Sequence, residues 1–84
     1  MATTIHTALD LGRAVRAARL ELGMTQDDLA LASGTGRRFI VNLESGKATV
    51  RLESVLEVLA ALELRIELHR GRARGSGSGP DAGA

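Results

Sequence analysis

Two adjacent arginines, Arg37 and Arg38, followed by Asn42, are the side chains of this sequence best suited to reading a polyanion. A guanidinium can fork onto guanine O6 and N7, and an asparagine amide can pair with adenine N6 and N7. On a helix, stepping 100° per residue puts Arg37, Arg38, Val41, Asn42 and Ser45 on one side. Phe39, Ile40 and Leu43 fall on the other. Val41 in the middle of the polar side suits contact with a thymine methyl, and reads equally well as an ordinary surface residue. Arginine is out of place in the first turn, where the helix dipole favours acids, and that misfit points to an external anion.

Other chemistry is poorly supported. Asp27 and Asp28 are paired carboxylates, but capping and dipole roles account for both. His6 and His69 lie near the chain ends with no second ligand at metal spacing. The Gly-Ser-Gly-Ser-Gly run lacks the Gly-Lys-Ser/Thr of a phosphate cradle and the helix that would follow it. No nucleophile, base and orienter can be assembled, so the chain does not read as an enzyme, and no metal or cofactor is expected.

The elements that must position these side chains follow from a repeated local grammar. Thr7 and Asp10 form a capping box, and Leu11, Ala14, Val15, Ala18 and Leu22 recur at helical spacing until Gly23. Thr25 and Asp28 form a second box, starting a two-turn helix with Leu29, Ala30 and Ser33 on one face and Gly34 as its left-handed stop. Gly34, Thr35 and Gly36 make a connection of helix-turn-helix length. A third helix runs from Gly36 or Arg37 to about Ser45 and is closed by Gly46. A fourth spans roughly Leu52 to Leu62, with Leu52, Val55, Leu56, Leu59 and Leu62 as its apolar stripe. Leu64, Ile66 and Leu68 then alternate with Arg65 and Glu67, a strand pattern. A lone strand cannot satisfy its backbone, so its partner is expected to be the same strand of a second copy. Continuation of the fourth helix to His69 is the competing reading.

Composition sets the frame. The 84 residues suffice for one small domain, with 44% apolar residues but 1% aromatic, Phe39 alone, so aliphatic side chains must build the core. With no cysteine, disulfides and thiolate chemistry are excluded and a reducing compartment fits. No apolar stretch suffices for a membrane span and no secretion signal is visible, so a cytoplasmic location and no membrane partner are expected. The net charge is +1, yet it is polarised. Arg37, Arg38, Lys47 and Arg51 stand against Glu44 between Thr35 and Arg51, and Arg70, Arg72 and Arg74 against Asp81 in the tail. A basic face on an otherwise acidic domain suits a polyanionic partner.

The run Thr25-Gln26-Asp27-Asp28-Leu29-Ala30, then Gly34, Ile40, Glu44 and Gly46, resembles the XRE, or phage-repressor, class of helix-turn-helix domains across residues 11–62. The segment Arg37-Arg38-Phe39-Ile40, the Glu44-Ser45-Gly46-Lys47 turn and the closing Leu62 to Leu68 run resemble HipB-type antitoxins within that class. The resemblance implies an all-α, four-helix, lambda-repressor-like domain with one C-terminal β-strand pairing across a homodimer. By matching position it implies DNA contacts from Thr25, Gln26, Gly36, Arg37, Arg38, Val41, Asn42 and Lys47, and a buried ion pair between Arg19 and Glu44. The position of Gly36 commonly carries Ser, Thr or Lys in relatives; glycine brings no side chain to DNA there. The implied partners are double-stranded DNA with a palindromic operator and a HipA-like serine/threonine kinase toxin. The expected organisation is an N-terminal arm (1–6), the DNA-binding domain (7–63), a dimerisation strand (64–69) built on Leu64, Ile66 and Leu68, and a disordered basic, Gly/Ser-rich tail (70–84).

Overall fold

A computed structural model describes residues 2–71. Its elements in chain order are α1 (Ala8–Glu21), α2 (Gln26–Ser33), α3 (Arg37–Glu44) and α4 (Leu52–Ala61). Both expected capping boxes form. The Thr7 hydroxyl accepts from the Asp10 amide at 3.0 Å, and the Asp10 carboxylate accepts from the Thr7 amide at 3.2 Å. The Thr25 hydroxyl accepts from the Asp28 amide at 3.0 Å, and Asp28 accepts from the Thr25 amide at 2.9 Å. Each cap contributes about 1 kcal/mol to starting a short helix.

Three helices end by the same device, in which a left-handed residue lets two amides turn back onto the last carbonyls. After α1, Gly23 (φ 70°) donates to Leu20 and Met24 to Arg19. Beyond α3, Gly46 (φ 87°) donates to Leu43 and Lys47 to Asn42. At the end of α4 the left-handed residue is Glu63 (φ 60°), donating to Ala60 while Leu64 donates to Leu59 at 2.8 Å. An L side chain in that conformation costs roughly 1–2 kcal/mol, which glycine avoids. This stop ends α4 at Ala61 and excludes the helix to His69.

The core lies where α1 packs on α3, α3 on α2, and α2 on α4. Val15, Leu29, Ile40, Leu43 and Val58 are fully buried, with Val55, Leu59 and Leu62 beside them. Burying such an aliphatic side chain stabilises by roughly 1.5–3 kcal/mol. Two details differ from the apolar stripes read along the sequence. Leu22 caps α1 and is half exposed, and on α4 Val58 is buried while Leu52 and Leu56 face solvent. Measured from Val55 at 100° per residue, Val58, Leu59 and Leu62 fit within one 100° arc, and Leu52 and Leu56 fall at or beyond its edge.

Gly12 sits inside α1 and is buried at its crossing with α3. A Cβ there would collide with the Leu43 carbonyl oxygen and come within 2.7 Å of the Glu44 carbonyl oxygen. The two backbones therefore touch directly, bringing the C-terminal end of α3 onto α1.

The strand expected over 64–69 is not formed in the single chain: residues 64–71 belong to neither helix nor sheet. A strand is defined by a neighbour's backbone, and among the described residues no other extended segment bonds to this one. Its side chains nevertheless alternate. Arg65 pairs with Glu67 at 3.1 Å and His69 with the same carboxylate at 3.1 Å, contacts between residues two apart that an extended backbone permits. Among the described residues no helix is long and apolar enough to cross a membrane. The same residues contain no cluster of acidic and histidine side chains able to hold a metal. The tail expected to be disordered lies outside the described residues from position 72 onward, including Arg72 and Arg74.

Candidate nucleic-acid interface

The turn between α2 and α3 aims the third helix outward. Gly34 is left-handed (φ 72°) and its amide closes α2 on the Ala30 carbonyl at 2.9 Å. Ser33 and Thr35 share a hydroxyl hydrogen bond of 2.9 Å across the turn, and Ser33 is anchored to the Leu29 carbonyl at 2.8 Å. Gly36 (φ 89°, ψ 152°) then delivers the chain into α3 with no side chain over the helix start. The leading amides of α3 are left without the cap that both α1 and α2 possess. Free amides and the positive end of the dipole together attract an anion.

Around that helix start the expected residues fall into three groups. Arg37, Arg38 and Lys47 are exposed, as are Gly36 and Thr25; Val41 and Asn42 are half-buried on the same outward side of α3. Arg38 projects with no acidic partner within salt-bridge distance among the described residues. Arg37 is held instead by Asp27 of α2, Nε to Oδ1 at 3.1 Å, both side chains mostly solvated. Water screens such a pair to at most about 1 kcal/mol, weak enough for a better anion to replace it.

Gln26 occupies a dual position. Its Nε2 donates to Glu44 Oε1 at 3.2 Å, which ties the first residue of α2 to the last residue of α3. The same carboxylate receives Arg19 Nε at 2.7 Å and Nη2 at 3.0 Å, while Arg19 Nη1 donates to the Met24 carbonyl at 2.8 Å. The Glu44 hydrogen bonds hold the buried Arg19 guanidinium charged, raising its pKa against the opposing effect of burial. This network fixes the start of α2, and with it the Thr25 hydroxyl and the free amides of Gln26 and Asp27, relative to the outward face of α3. The Asp28 carboxyl is drawn below its ordinary range, chiefly by the Thr25 backbone amide.

One residue that the sequence analysis did not single out joins this face. Arg16 lines, with Thr25, Gln26, Asp27 and Arg37, a shallow concavity of about 490 Å³ beside the start of α2. Its signal was available: Arg16 lies three residues before the buried Arg19, hence on the same side of α1. Arg16 and Arg37 thus stand beside the start of α2, Arg38 is exposed next to them in the chain, and Lys47 is exposed beyond the far end of α3. Such a surface can grip phosphates with its rim and present Arg37, Arg38, Val41 and Asn42 to base edges. Leu64, Ile66 and Leu68 take no part in it. They lie on the segment after α4 and are exposed at 39%, 51% and 95%.

Residues 15–68 match the family described as helix-turn-helix. Over 68 residues the chain is 46% identical to an uncharacterised HTH-type transcriptional regulator, y4mF, of Sinorhizobium fredii, spanning 81% of this chain and 90% of that one. Among solved structures it is similar to the chain in a HipB–O4 20mer complex, with a TM-score of 0.77 and 27% identity over 84% of this chain and 100% of that one. The chain in a HipA–HipB–O2–O3 complex matches with the same TM-score, identity and coverage.

Proposed function

The chain belongs to the helix-turn-helix family, a family of regulators and not of enzymes, and from that premise we propose that it is a sequence-specific DNA-binding transcriptional repressor. It works as a homodimer on a palindromic operator, and as the antitoxin of a HipBA-type operon it also holds a HipA-like serine/threonine kinase. The observation that carries the DNA reading is the exposed start of α3, where Gly36 leaves the amides bare and Arg37 and Arg38 stand at the positive end of the dipole. Nothing in the domain's own stability calls for arginines there; an approaching phosphate or guanine does.

In operation, the start of α2 docks on the backbone through Thr25 and its neighbouring amides, and α3 enters the major groove. Phosphate contacts supply most of the affinity. With roughly 6–10 phosphates neutralised per dimer, binding falls by about three to five orders of magnitude between 50 and 200 mM salt. Arg37, Arg38 and Asn42 supply selectivity, about 1–3 kcal/mol for each good base contact. Two reading helices related by a two-fold axis would address half-sites about 34–36 Å apart. The likeness to HipB bound with HipA supports the toxin partner. The higher identity to y4mF, whose name specifies only transcriptional regulation, favours a second reading: a stand-alone regulator with the same DNA chemistry.

The test is selection of sites from random double-stranded DNA at about 150 mM salt, with wild type beside the Arg37→Ala/Arg38→Ala variant. Enrichment of a two-fold palindrome by wild type alone supports the proposal. No enrichment by wild type overturns the DNA reading and leaves a protein-interaction module; equal enrichment by both proteins overturns the reading role of Arg37 and Arg38. Co-purification with a kinase encoded by a neighbouring reading frame then separates the antitoxin from the stand-alone regulator.

A further inference from the structure

Residues 2–5 and 63–69 line a single groove of about 1150 Å³ over α1, whose floor includes Leu11, Ala14 and Ala18. Both segments are extended chain with backbone groups to spare: among the described residues, no backbone to backbone hydrogen bond reaches residues 2–5 or 65–71. The pairs Arg65–Glu67 and Glu67–His69 put the three polar side chains on one side, so Leu64, Ile66 and Leu68 share the other. A strand with one apolar side and two open backbone edges needs a partner that offers the same.

We propose that this groove receives residues 64–69 of a second copy, paired antiparallel with a two-fold axis through Ile66. The inference rests on the homodimer reading above and adds its register. The segment Leu64-Arg65-Ile66-Glu67-Leu68 is self-complementary about its centre. With Ile66 facing the partner's Ile66, Leu64 faces the partner's Leu68 and Arg65 faces the partner's Glu67. Every apolar residue then meets an apolar one, and the charged pairs are of opposite sign. Moving the axis one residue either way destroys this. Centred on Arg65, arginine faces arginine; centred on Glu67, glutamate faces glutamate. Like charges directly opposite destabilise a pair of strands, and an axis falling between residues sets Arg65 against Ile66, polar against apolar. The charges thus specify the register, and the aliphatic side covers the alanine-lined floor of α1. Residues 2–5 of each copy form the far wall, beside the incoming strand.

Because the chain has no native cysteine, single thiols can measure this register directly. In the proposed pairing the two residues at position 66 lie about 4.5–5.5 Å apart between Cα atoms, within disulfide range. The two at position 64 lie four residues apart along the strand, roughly 14 Å. Under mild oxidation Ile66→Cys is expected to yield a band at twice the 8.8 kDa chain mass. Leu64→Cys and Leu68→Cys are expected to link only when mixed, and Leu31→Cys on the exposed side of α2 sets the collisional background. In sedimentation equilibrium Arg65→Glu should weaken the dimer roughly tenfold, and Arg65→Glu/Glu67→Arg should restore it. A wild-type dimer in which Arg65→Cys or Glu67→Cys alone links more efficiently than Ile66→Cys overturns the register and leaves the homodimer standing. A wild-type monomer at all concentrations, with every thiol at background, overturns both.

Discussion

Arg19 and Glu44, 25 residues apart in the chain, meet through two parallel hydrogen bonds of 2.7 and 3.0 Å with their side chains 8% and 4% exposed. The pair fastens the end of α3 to α1, and through Gln26 the start of α2 to both. Its importance is therefore geometric as well as energetic.

Removing one partner strands a charge in a dry site. Glu44→Ala is expected to cost about 3–5 kcal/mol, read as a lowered denaturant midpoint. Arg19→Met, which fills similar volume without a charge but leaves the carboxylate unpaired, should also destabilise. The double variant Arg19→Met/Glu44→Leu should recover much of the loss. Recovery of stability without recovery of operator binding would mark the network as the device that sets the spacing of α2 and α3.

Gly12 allows α1 to rest on the α3 backbone. Although alanine favours helix by up to about 1 kcal/mol over glycine, Gly12→Ala should destabilise by roughly 1–3 kcal/mol because its methyl meets the carbonyls of Leu43 and Glu44. Thermal unfolding of the two proteins checks this; an unchanged or raised midpoint would mean that the helices can separate without penalty.

On the proposed DNA reading, Asp27 competes with DNA for Arg37. Asp27→Asn removes that partner and one negative charge from the docking face, so operator affinity should rise roughly three- to tenfold at low salt, with the gain shrinking as salt increases. Fluorescence anisotropy with a labelled operator reads the change. A loss of affinity would show that the pair holds Arg37 in its reading position.

The capping carboxylates predict an acid limb. Asp10 is drawn below its ordinary value of 3.8 mainly by the His6 backbone amide, and Asp28 below the same value mainly by the Thr25 amide. A folded-state pKa below the unfolded one gives stability that is present above about 3.8 and is lost as pH falls through the lower folded value. The denaturant midpoint should therefore fall below pH 4, and Asp10→Asn/Asp28→Asn should flatten that limb while lowering stability at pH 6.

Legibility in the sequence followed the range of the forces involved. Capping boxes and left-handed glycines act within four residues, so the starts of α1 and α2 and the outward face of α3 could be read residue by residue. On α4 the apolar residues cover more of the circumference than one core can bury, and periodicity alone could not choose Val58 over Leu52 and Leu56. Gly12 carried a readable signal, a poor helix former kept in mid-helix, but its reason lies in an α3 backbone some thirty positions away. Arg16 joined the docking face through tertiary placement beside Thr25 and Arg37. Residues 64–69 have alternation without a ladder, and it is the proposed second copy that would complete them.

Among the described residues the last backbone tie internal to the domain runs from the Leu64 amide to Leu59, and Glu63 is the left-handed boundary there. Before it, the Arg19–Glu44 network and the Gly12 contact fasten α1, α2 and α3 to one another; after it, a few extended residues lead toward the second copy that we propose. Vocabulary and metre are thus written in different stretches of the gene. In the proposed complex, substitutions at Arg37, Arg38 or Asn42 would change which bases are preferred, and insertions or deletions just after Glu63 would change the distance between half-sites. The two can drift apart over evolution without either having to be reinvented.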